Sequence, residues 1–153
     1  MSVITPSIDN LLLNITQEIV VQAPVETTFE ALLAEIGPAN QTPDGRPLPM
    51  LLEPWPGGRW FRDLGEGNGH LWGFVQAIKR PALLEITGPL FMSSAATNNL
   101  QYRLTEDSRG TVISFRHSGF GYVPEEHKKG LAAGWQPLLE RIRQQAQGRA
   151  SRH

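Results

Sequence analysis

No cysteine occurs in the chain, which removes disulfides, thiolate metal ligands and a cysteine nucleophile together. Long apolar runs are also missing, and no stretch is long enough to cross a bilayer as a helix. The start, MSVITPSIDNLLLNIT, lacks the basic n-region and extended apolar segment of a secretory signal, so the expected location is the cytoplasm. Charge of one sign is not in excess: 14 Lys and Arg stand against 15 Asp and Glu, a net charge of -1 without a basic block. That excludes the electrostatic footprint of a nucleic-acid partner. Arg141, Arg143, Arg149 and Arg152 read instead as a solvated helix end. The histidines at 70, 117, 127 and 153 show no ligand spacing, so neither a metal nor a cofactor is expected.

What is present suits one domain spanning 1–153, with a core of about 14–145. Hydrophobic residues make up 40% of the 153, too many for a disordered chain. The segment NITQEIVVQ alternates, with Ile15, Gln17, Ile19 and Val21 on one face, and reads as a first strand. Pro24 suits a helix start, and Val25, Phe29, Leu32, Leu33 and Ile36 then share one helical face. GPANQTPDGRPLP holds six Gly or Pro residues and predicts a long irregular connection, a type that usually serves function or moves.

Six strand-like runs follow: Met50 to Trp55, Arg59 to Leu64, His70 to Lys79, Leu83 to Thr87, Asn99 to Glu106 and Thr111 to Ser118. The short turn-forming segments between them predict an antiparallel meander. In its HLWGFVQAIKRPALLEIT hairpin, Val75, Ile78, Leu84 and Ile86 face inward if a bulge near Gln76 absorbs the three-residue step. Trp72 and Phe74 are then expected on the outer face or at a rim. A last helix opens at Pro124 and carries the stripe Leu131, Trp135, Leu138, Leu139 and Ile142. Gly130, Gly134 and Pro137 predict a kink in it, or a break into two pieces.

The order of elements resembles the helix-grip fold of the START-like, birch-allergen-like superfamily known as SRPBCC. IVVQAPVETTFEAL is similar to its opening strand and helix, and GFVQAIKRPALLEIT to its Gly-Val-Pro-Leu-Thr hairpin. SFRHSGF and GLAAGWQPLLERI resemble the signature of the branch named after the activator of the heat-shock protein 90 ATPase. The resemblance implies an α+β fold in which a curved antiparallel sheet of six or seven strands wraps a long C-terminal helix. It also implies an apolar cavity between them. Relatives of that kind bind hydrophobic molecules, act as cyclases or dehydratases, or serve as co-chaperones.

Candidate ligand-binding residues are therefore Trp55, Trp60, Phe91, Tyr102, Phe115, His117, Leu131 and Trp135, large apolar side chains with a few polar groups among them. The partner expected is a small hydrophobic or aromatic molecule. Exposed apolar rims could support a homodimer, and a chaperone partner follows from the resemblance by analogy only. His117 shares a strand face with Ile113 and Phe115, so it points inward and needs a hydrogen-bond partner or a ligand. His127 lies on the helical stripe near the cavity entrance. Acid-base catalysis would draw on His117 with Tyr102 or His127; the alternative is one satisfied structural histidine and one exposed histidine. Ser118 adjoins His117 and points to the opposite face, which leaves a nucleophile-base pair unsupported. GEGNG precedes no helix and is a turn rather than a phosphate loop.

Overall fold

The computed structural model describes residues 7–152; His153 and the first six residues lie outside the described range. Strand β1 spans Leu12–Val21, helix α1 Val25–Ile36, and strand β2 only Leu51–Leu52. The meander continues through β3 (Arg59–Gly65), β4 (Asn68–Lys79), β5 (Leu83–Gly88), β6 (Ala96–Asp107) and β7 (Gly110–Gly121). Helix α2, Glu125–Ala150, closes the fold. All seven strands form one antiparallel sheet in the order β1-β7-β6-β5-β4-β3-β2. β1 returns from the start of the chain to pair with β7 at the far end of the meander.

Helix α1 has the bounds its periodicity predicts, with Pro24 preceding its first turn and Phe29, Leu32 and Ile36 buried. In β4 the pairing slips between Val75 and Ala77, which places the bulge at Gln76 and turns Val75, Leu84 and Ile86 into the core. Glu66 and Gly67 both have positive φ, 56° and 78°, as a two-residue turn between right-twisted strands requires.

Two expectations need correction. The run Met50 to Trp55 pairs with β3 only at Leu51 and Leu52, because Pro49 and Pro54 bracket it and supply no ladder N–H groups. Helix α2 is not two pieces but one continuous helix through Pro137. An interior proline costs about 3 kcal/mol. Here the helix buries Ala146 and the large side chains Leu131, Trp135, Leu138, Leu139 and Ile142, each of the latter contributing about 1.5–3 kcal/mol, so packing outweighs the lost bond.

In the first half of α2, Gln17 Nε2 donates to the Ala132 carbonyl at 2.8 Å, tying the helix to the edge strand. Arg143 Nη1 donates to the Val20 carbonyl at 3.4 Å, and Gln147 Oε1 accepts from the Gln22 N–H at 2.9 Å. At the C-terminal end of β1, α2 thus occupies the Val20 carbonyl and the Gln22 N–H just beyond the strand, which blunts that end of the edge for pairing with other chains.

Candidate functional site

A cavity of about 630 Å³ lies between the sheet, α2, the 37–49 connection and the β5–β6 loop. Aromatic side chains wall it. Trp60 on β3 is fixed by its Nε1–H, which donates to the Ile36 carbonyl at the end of α1 at 2.7 Å. Trp72 meets it edge to face at 5.1 Å, Phe91 follows 5.4 Å from Trp72, and Trp135 stands 6.3 Å from Phe91.

Trp72 reaches this wall through a second bulge. Trp60 pairs with Gly73 and Phe61 with Leu71, so Trp72 has no opposite residue and its side chain is re-aimed. Of the two positions expected for Trp72, the outer face is excluded: half-buried, it lines the cavity, while Phe74 is exposed as expected. Gly73 must lack a side chain, because a Cβ would lie 2.8 Å from Ile86 Cγ2 and from the Thr87 carbonyl oxygen.

Leu90 precedes Phe91 in a left-handed conformation, φ 59°, sparsely populated for a leucine. Its N–H donates to the Trp72 carbonyl at 2.8 Å and its side chain is fully buried, so the surrounding structure holds the conformation.

The 37–49 connection forms another side of the cavity. It folds on itself: Leu48 N–H donates to the Asn40 carbonyl at 2.9 Å, and Asn40 Nδ2 to the Leu48 carbonyl at 3.0 Å. From α2 come Leu131, Trp135 and Leu138, together with Gly130 and Gly134 one turn apart. A Cβ at Gly130 would meet nothing within 4 Å, and one at Gly134 only Pro43 Cγ at 3.8 Å. The two glycines leave space where other residues would intrude.

Charge at the cavity is largely compensated. Arg141 Nε donates to Glu35 Oε1 at 3.3 Å and its Nη2 to the Gln41 carbonyl at 3.4 Å. Gln145 Nε2 donates to the other Glu35 oxygen. Glu126 and His127 line the opening, and both are exposed. Among the described residues no cluster of three or more His, Asp or Glu could hold a metal ion.

The candidate residues separate into three groups. Trp60, Phe91, Leu131 and Trp135 line the cavity with His127. Tyr102, Phe115 and His117 are buried in the next layer and do not line it. Trp55 is 55% exposed in the turn before β3, away from the cavity. Trp72, the glycine pair and the 37–49 connection are cavity features that residue patterns did not assign.

His117 is fully buried and both ring nitrogens are occupied. Trp135 Nε1–H donates to Nδ1 at 3.1 Å, so Nε2 carries the proton and donates to Asn98 Oδ1 at 2.8 Å. Burial pushes the imidazole pKa down to about 4 and keeps the ring neutral. Burial likewise raises the Tyr102 phenol above its ordinary value. His117 and His127 therefore do not converge on one space: one is sealed behind Trp135, the other sits at the opening.

The sequence profile of the family described as activator of Hsp90 ATPase homolog 1-like protein matches residues 22–147. The chain belongs to this family. Its fold is the helix-grip of the wider SRPBCC group, and solved structures share it. Protein CV1439 from Chromobacterium violaceum is 19% identical, covering 88% of this chain and 96% of its own, with a TM-score of 0.68. MLL2253 from Mesorhizobium loti is 20% identical over 86% of this chain and 95% of its own, TM-score 0.62. The di-domain ARO/CYC StfQ from the steffimycin biosynthetic pathway is 14% identical, covering 94% of this chain and 53% of its own, TM-score 0.66. At these identities the likeness concerns the fold. No curated protein matches the sequence.

Proposed function

We propose that the protein binds a small hydrophobic or aromatic molecule between its sheet and α2. The observation that carries this reading is the wall formed by Trp60, Trp72, Phe91 and Trp135 around about 630 Å³. Spaces of this size and character accept drug-sized ligands, with a few polar groups fixing orientation. The glycine pair on α2 supports it further, since glycine weakens a helix and here keeps room open. Native mass spectrometry of the purified protein, with thermal shift against aromatic metabolites and lipids, tests it. A co-purifying small molecule or a saturable rise in Tm is expected; none from any class defeats the reading.

A lyase-type activity is a second reading, supported by His127 at the cavity opening. It requires turnover that His127→Ala abolishes while binding persists. A co-chaperone role draws only on the family description, and a chaperone ATPase assay with saturating protein tests it.

A further inference from the structure

Tyr102 is fully buried, and its hydroxyl has no hydrogen-bond partner among the described residues. Buried hydroxyls rarely lack partners, and a phenylalanine would fill the same place without that cost. Beside it lies a packing defect bounded by Tyr102, Phe115, Trp135, Leu138 and Leu139, too small to hold a water. Trp135 and Leu138 also line the large cavity, so one layer of side chains separates the two spaces.

The indole of Trp135 makes one hydrogen bond, to His117, and packs against Phe115 and Phe91, while Gly130 and Gly134 beside it open onto the cavity. Tyr102 pairs with Phe115 and His117 with Leu100 across β6 and β7, so Tyr102 and His117 are diagonal neighbours on the inner face. A turn of the indole would uncover a phenol donor and an imidazole acceptor together. Neither group is charged. Arg141, the sole Lys or Arg lining the cavity among the described residues, is already paired with Glu35.

We infer that the cavity has an inner subsite, closed by the Trp135 indole, that takes the carbonyl end of an uncharged aromatic ketone with the Tyr102 hydroxyl as donor. This rests on the cavity-binding reading above. It adds a polar anchor and excludes anionic ligands from the inner end, since a carboxylate there would be desolvated without a free cation.

The test is calorimetric titration of the wild type and Tyr102→Phe with 2-acetylnaphthalene and with 2-ethylnaphthalene, a pair of similar shape differing in the carbonyl, together with Tm for both proteins. The wild type should bind both and favour the ketone. Tyr102→Phe should bind the ketone about fivefold more weakly, the hydrocarbon equally well, with Tm unchanged or raised. Unchanged ketone affinity overturns the subsite and leaves the cavity reading standing. Equal weakening of both probes with a lower Tm makes Tyr102 a packing residue and also overturns it. If the wild type binds neither, the subsite is overturned, while the cavity reading stands or falls with the wider screen above.

Discussion

The Trp135 indole spans two environments: one side forms the cavity wall, while its N–H donates 3.1 Å to Nδ1 of the fully buried His117. Asn98 accepts from the other nitrogen at 2.8 Å, so the ring is satisfied only as the neutral Nε2–H tautomer. Protonation would place a second donor against the indole N–H in a dry interior. The bond joining helix to sheet thus depends on an uncharged imidazole.

A pH dependence is the consequence. In the unfolded chain the imidazole takes a proton near pH 6.5, in the folded protein only near 4. Between those values the unfolded state holds more protons, so acid favours unfolding and stability rises with pH across that window. The full effect is about 3 kcal/mol for a shift of this size. Urea unfolding from pH 4.5 to 7.5 should show it in the wild type, and His117→Gln should flatten the difference. Identical profiles would contradict the assignment.

Gly130→Ala and Gly134→Ala should each stabilise the protein by about 0.5–1 kcal/mol, because the helix has room for both methyl groups. Thermal melts check this. A loss of stability would mean that α2 packs more tightly against the 37–49 connection than the distances imply.

Arg141 and Glu35 link α2 to α1 with side chains only 17% and 8% exposed. Arg141→Ala leaves the carboxylate with the Gln145 amide but no countercharge in that setting and should cost about 3 kcal/mol. Adding Glu35→Gln should recover part of it, so a double-mutant cycle should show coupling above about 0.5 kcal/mol. Additive effects would reduce the pair to an incidental contact.

Much of the scaffold could be read from residue order. The three-residue step from Val75 to Ile78 disclosed the Gln76 bulge, and the period of α1 gave its ends. Alternation failed at Trp72, because a second bulge reset the pattern without changing the apolar spacing around it; Gly73 was its only trace. Trp55 was misplaced among cavity candidates because aromatic content alone does not tell a turn from a wall.

The 37–49 connection has no periodicity, and it became a wall through backbone hydrogen bonds that side-chain patterns do not announce. Gly130 and Gly134 were legible as weak points of a helix. Their four-residue spacing, which puts both on one face, was the unread sign of a cavity.

The central claim is that the space facing Gly134 holds a ligand. The most direct measurement is fluorescence titration of prodan, a neutral naphthalene ketone, into wild type and Gly134→Leu, whose side chain would occupy that space. Saturable one-to-one binding with a blue-shifted emission is expected for the wild type, with a loss of about tenfold or more in a Gly134→Leu protein of undiminished Tm. Equal affinity in both, or no saturable binding in the wild type, would contradict the claim.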